Sequence, residues 1–81
     1  MDGEKFVKDA KRRLFCYLHP SKQNQEPDTK GMFVVWLSKI GKNNKCLIGI
    51  KDANDYFEIS HFGDEEEFVL DHYTLKKHYL I

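Results

Sequence analysis

Gly31-Met32-Phe33-Val34-Val35-Trp36-Leu37-Ser38-Lys39-Ile40-Gly41-Lys42-Asn43-Asn44-Lys45-Cys46-Leu47-Ile48-Gly49-Ile50-Lys51 is the stretch that decides the fold. Before Gly31 the apolar residues recur at helical spacing; from Met32 onward the period is two. Residues 32–39 are apolar on both faces, with Phe33, Val35 and Leu37 on one and Val34 and Trp36 on the other. That pattern predicts a central strand covered on both sides, or one covered on one side and adhesive on the other. Trp36 reads as a core anchor of this strand. Gly41-Lys42-Asn43-Asn44 reads as a hairpin turn, because Gly and Asn accept positive φ. Residues 46–51 form the second strand, with Cys46, Ile48 and Ile50 on one face.

Working outward, residues 3–19 predict a helix. Phe6, Val7, Ala10, Leu14, Tyr17 and Leu18 fall within about 120° of arc at 100° per residue. Asp2 suits the N-cap and Glu4 the positive end of the helix dipole. Lys8, Lys11 and Arg12 take the outer face, and Pro20 stops the helix by pushing His19 out of the α region. Residues 20–30 hold no apolar side chain and read as a loop. Downstream, residues 56–62 form a third strand with Phe57 and Ile59 inward, and residues 67–73 a fourth. Residues 77–81 read as a short edge strand, since only two apolar residues there match helical spacing. Short connections join the strands, so the expectation is α+β. One N-terminal helix packs on a four- to five-stranded antiparallel meander sheet, in a single domain over residues 1–81.

Composition narrows the function classes. With 41% apolar and 32% charged residues the chain is too apolar for intrinsic disorder. Its longest apolar run, Met32 to Leu37, is six residues, and a membrane helix needs about 20. The first residues form no apolar stretch of the kind a secretory signal needs. Two cysteines, Cys16 and Cys46, are too few for a disulfide framework in a small secreted domain. Free thiols in a reducing cytoplasm are expected. Net charge is zero but divided: residues 1–51 carry +6 and residues 52–81 carry −6. The bland reading is a mixed-sign surface; the sharper one is a dipolar molecule whose acidic side steers a basic partner.

Chemistry-bearing groups are sparse. Cys16 and His19 are three apart, and a zinc site needs two more ligands. Cys46, His61, His72 and His78 supply no second close pair, so no metal is expected. Asp64-Glu65-Glu66-Glu67, with Asp52, Asp55 and Asp71, lacks calcium-loop spacing and reads as a solvated turn. Lys30-Gly31-Met32-Phe33-Val34-Val35-Trp36 nearly spells the basic-Gly-aromatic signature of RNA-recognition sheets, but is one residue short and lacks the first aromatic. Aromatic stacking would fall to Trp36 or Tyr56. A basic patch from Lys8, Lys11, Arg12, Lys39, Lys42 and Lys45 would have to converge on one surface to hold an anionic ligand. A catalytic reading would need a concave pocket lined by His61 or His72 with an acidic partner.

Val34-Val35-Trp36-x-x-Lys39, Asn44-Lys45-x-Leu47, Tyr56-Phe57-Glu58-Ile59, Gly63-Asp64 and Leu70-Asp71-x-Tyr73, with the preceding helix and polar loop, resemble a family of short uncharacterised proteins. These are encoded in phages and prophages of Gram-positive bacteria. The resemblance covers nearly the whole chain and rests on hydrophobic and turn residues, which carry fold rather than catalysis. It implies a small protein of the host cytoplasm that acts by binding.

The expectation is therefore a phage-encoded, non-enzymatic binding protein without cofactor. It would act on a host or phage protein, as a takeover, anti-defence or regulatory inhibitor. The alternative is a nucleic-acid or signalling-nucleotide module using the basic residues of the helix and first hairpin. Candidate binding residues are Trp36, Tyr56, Lys39, Lys42, Lys45, Asp64, Glu65 and Glu66. The sheet face away from the helix is expected to carry Val34, Trp36, Leu47 and Tyr56. It is expected to be covered by a second copy of the chain or by the partner.

Overall fold

The computed structural model describes residues 2–81. Helix α1 spans Gly3–Leu18, followed by a single 3-10 turn at Pro20–Lys22. Four strands follow: β1 (Met32–Ile40), β2 (Asn43–Ile50), β3 (Asp55–Phe62) and β4 (Glu67–Thr74). They pair antiparallel in the order β1-β2-β3-β4. The molecule is a slab of 40 × 33 × 18 Å, as thick as one helix layer on one sheet layer. Among the described residues no helix is long and apolar enough to cross a membrane.

α1 begins where expected. Asp2 Oδ1 accepts the Lys5 backbone N–H at 2.8 Å, satisfying one orphan donor of the first turn. The helix ends at Leu18, one residue earlier than expected, where His19 leaves the helical region and its N–H donates back to the Phe15 carbonyl at 2.9 Å. Phe6, Ala10 and Leu14 pack against Cys46, Ile48, Phe57 and Ile59, each at most 1% exposed. Two helix positions depart from the expected arc. Tyr17 is half-exposed, and Phe15 is buried instead. Phe15 meets the returning chain, its ring 4.8 Å from the His19 imidazole.

The first strand corrects the sequence reading most. β1 lies at the edge of the sheet rather than its centre. Pairing shifts by one residue between Val34 and Trp36, so Val35 is a bulge. A bulge reverses the parity of everything beyond it. Val34 and Leu37 therefore share the helix side, opposite Ile48 and Cys46, while Phe33 and Trp36 share the other, opposite Gly49 and Leu47. Val34 does not belong to the outer face, and Trp36, at 38% exposure, is not a core anchor.

The remaining corrections are smaller. The β1–β2 loop is only Gly41-Lys42, because Ile40 already pairs with Asn43. Gly41 at φ 60° occupies the first loop position, where a II′ turn wants glycine. Residues 75–81 form no fifth strand. Leu75 N–H donates to the Asn54 carbonyl at 2.7 Å, and beyond it the chain runs exposed.

Candidate functional site

The register sorts the sheet into rows. On the helix side Val34, Ile48, Phe57 and His72 form one row, Leu37, Cys46, Ile59 and Leu70 the next, and Lys39, Asn44, His61 and Phe68 a third. On the open side the first row is Phe33, Gly49, Tyr56 and Tyr73, and the second is Trp36, Leu47, Glu58 and Asp71.

The open side is the candidate site. No helix covers it, yet its first row carries an aromatic ring on three of four strands. Gly49 supplies the gap: a Cβ there would come within 2.4 Å of the Phe33 ring, so that ring lies across the glycine. Phe33, Trp36 and Tyr73 are 47%, 38% and 51% exposed, an apolar platform in contact with water. Charge is graded along it. Lys45 Nζ is held by Glu58 at 3.4 Å, which leaves Asp71 and Glu67 without a cation among the described residues.

Of the candidates chosen from sequence, Trp36, Tyr56 and Lys45 meet on this open side. Lys42, Asp64, Glu65 and Glu66 gather at the tip where the first and last hairpins touch. There Lys42 Nζ lies 3.5 Å from Asp64, and the Gly63 N–H donates to Asn43 Oδ1 at 3.1 Å. Lys39 has Asn44 as its register partner, on the helix side. Leu47 lies on this side as expected, whereas Phe33 and Tyr73 were missed. Tyr73 was legible from the period of β4, whereas Phe33 joined this side only through the bulge at Val35.

The basic residues do not converge. Lys8, Lys11 and Arg12, with Lys5, line a groove of about 1000 Å³ between α1, the 26–29 loop and Leu37. Lys42 and Lys45 are committed to Asp64 and Glu58 elsewhere. Within the groove Arg12 is drawn to Asp9 at 2.7 Å, and Glu4 and Glu26 also line it.

Two polar features lie on the helix side. Tyr17 Oη is 3.0 Å from His72 Nδ1, and His72 Nε2 is 3.0 Å from Asp55 Oδ2. With Nε2–H donating to the carboxylate, Nδ1 accepts the phenol proton, and the chain of bonds ties the C-terminal end of α1 to β4 and β3. The His72 bond, then one from Thr74, holds the Asp55 carboxyl below its ordinary value. The adjacent hollow, about 450 Å³, is lined by Arg12, Arg13, Cys16, Tyr17 and Gln23, and not by His72 or Asp55. The other feature is the third helix-side row. Asn44 is 2% exposed, and neither its amide oxygen nor its nitrogen has a partner among the described residues, nor has the buried Nδ1 of the neighbouring His61. The cysteines are free, and burial pushes the Cys46 thiol up to about 11, leaving it a protonated core group. Among the described residues no three His, Cys, Asp or Glu side chains are placed to hold a metal ion.

Comparison with known proteins returns one result. A model described as a family of unknown function, DUF6275, matches residues 5–81. No curated protein matches, and no solved structure does.

Proposed function

We propose a function for this chain, which belongs to the DUF6275 family of unknown function: it is a non-enzymatic protein-binding module that works through the open face of its sheet. The observation that carries the reading is the aromatic row Phe33, Tyr56 and Tyr73 with Trp36 beside it, half-buried at Tyr56 and exposed at the other three, on a face that no helix or strand among the described residues covers. Aromatic side chains are the residues that most often anchor interfaces, because they bury large area with little rotamer entropy to lose. Asp71 and Glu67 on the β4 side favour an apolar partner segment flanked by Lys or Arg. The sequence resemblance to small phage and prophage proteins supports a phage-encoded product of the host cytoplasm. Its target is then a host or phage protein, inhibited or redirected by occupation of this face.

The groove beside α1 favours a second reading, an anionic ligand such as a nucleotide or nucleic acid held by Lys5, Lys8 and Lys11. It ranks lower because the hairpin lysines face elsewhere and three carboxylates, Glu4, Asp9 and Glu26, share the groove.

Photocrosslinking separates the two. A photoreactive phenylalanine replaces Trp36 in one chain and Lys8 in another, and both are irradiated in host lysate with and without nuclease. The open-face reading expects a nuclease-insensitive protein adduct from position 36 that is absent from position 8. Nuclease-sensitive adducts from position 8 alone would replace it with the second reading.

A further inference from the structure

We infer that residues 75–81 of one copy of the chain dock on the open sheet face of a second copy, and that the exchange is reciprocal. This rests on the open face being the binding surface, and it names a first occupant.

Three observations meet. The face is apolar at Phe33, Trp36 and Tyr73 and acidic toward β4, where Asp71 and Glu67 find no cation among the described residues. Residues 75–81, Leu-Lys-Lys-His-Tyr-Leu-Ile, hold Tyr79, Leu80 and Ile81 toward one end and the cations Lys76 and Lys77, beside Leu75, toward the other, with no acidic side chain. The segment therefore complements the face in both respects. It is also unused: Tyr79 is 70% and Leu80 96% exposed, and beyond the Leu75 bond no hydrogen bond or ion pair reaches it among the described residues. Large apolar side chains at such exposure and a half-exposed aromatic platform are a matched pair of unfavourable surfaces.

Topology decides between the segment's own face and another copy's. To lie on its own face, the chain must reverse just after Thr74. Residues 74–81 contain no Gly, Pro, Asn or Asp to make that turn, and the Leu75 bond to Asn54 holds the first residue in line with β4. Continuing straight, seven extended residues reach about 23 Å, against about 14 Å from the first to the last axis of four strands. The segment can therefore cross a neighbour's whole sheet. When the segment is extended, Leu75, Lys77, Tyr79 and Ile81 share one side, which faces the platform, and Leu80 lies on the other. Closure by a two-fold axis lets each copy give one segment and receive one, which ends assembly at a dimer. A target protein with a similar basic and apolar segment then competes with the second copy for one surface.

The test uses full-length chains and sedimentation from about 1 to 200 μM, with acrylamide quenching of Trp36, the only tryptophan. The wild type is expected to pass from monomer to dimer, with quenching falling at least twofold over the same range. Tyr79→Asp/Leu80→Asp and, separately, Trp36→Asp/Tyr73→Asp are each expected to stay monomeric at 200 μM while melting cooperatively. Mixing those two variants restores dimer, since one keeps an intact face and the other an intact segment. A synthetic peptide of residues 74–81 protects Trp36 in the Tyr79→Asp/Leu80→Asp chain. A monomeric wild type at every concentration, a dimer that persists in Tyr79→Asp/Leu80→Asp, or Trp36 protected in a monomer each overturns the inference. None of these removes a position-36 crosslink to a target protein, so the broader reading is judged separately.

Discussion

Two faces of one sheet, built from the same strands, meet opposite fates. On the helix side Cys46, Ile48, Phe57 and Ile59 are almost wholly buried under Phe6, Ala10 and Leu14. On the other, Phe33, Trp36 and Tyr73 stand in water. Hydropathy alone does not separate them, since the open side has the larger aromatic groups. What separates them is a single helix, whose one apolar stripe covers one face only. The covered face is thus the source of stability, and the open face leaves its apolar surface in water.

The sharpest way to break this contrast uses neighbours on β3. Tyr56 and Phe57 are adjacent in sequence and lie on opposite faces. Phe57→Ala empties the core and is expected to cost about 3–5 kcal/mol, enough to unfold much of a domain this small. Tyr56→Ala, by contrast, is expected to cost about 1 kcal/mol, in keeping with its half-buried place on the open side. Urea titrations of both variants decide; equal losses would mean the open face is structural after all.

A second test strains the covered face itself. Asn44 lies in that core layer with its amide unpaired among the described residues, so removing the polar group should remove a desolvation cost. Asn44→Leu is expected to stabilise the fold by about 1–2 kcal/mol, read as a higher urea midpoint at unchanged slope. A loss of stability would mean that Asn44 is satisfied and structural.

The Tyr17–His72–Asp55 bonds fasten the covered side at one edge, and their effect is the smallest. The folded Asp55 carboxyl sits below its unfolded value, so its contribution is present above the ordinary carboxylate range. It is lost as pH falls through the lowered folded value. Asp55→Asn should flatten the acid limb of the stability profile and leave the limb above pH 7 as it was. Identical acid limbs would show that the bond carries no stability.

The contrast also explains what the sequence disclosed. The helix with its Asp2 cap, the four strands and the inward set of β2 and β3 follow from the change of period at Gly31 and from the turn residues. Phe33 and Trp36 could not be assigned to one face, because Val35 bulges within an unbroken apolar run, and apolar residues on both sides of a break hide it. The same run suggested a central strand, although short connections in chain order already put β1 at the edge. Phe15 was missed because a helix arc drawn toward one sheet ignores the His19 ring just beyond the helix end. Of the site, Trp36, Tyr56 and Lys45 were legible as residue types. That the lysines part to different surfaces depends on register and on ion pairs with Glu58 and Asp64, which no local pattern encodes.

The central claim is that the open face is where this protein meets other protein, and Trp36 reports on it directly. With 5-fluorotryptophan incorporated, the chain gives one fluorine resonance, which can be recorded at low micromolar concentration in buffer and then in host lysate. The account predicts that the buffer line gives way to a shifted line as the indole is covered. An unshifted line in a lysate from which the chain co-purifies with a protein would contradict it, because binding would then occur somewhere other than this face.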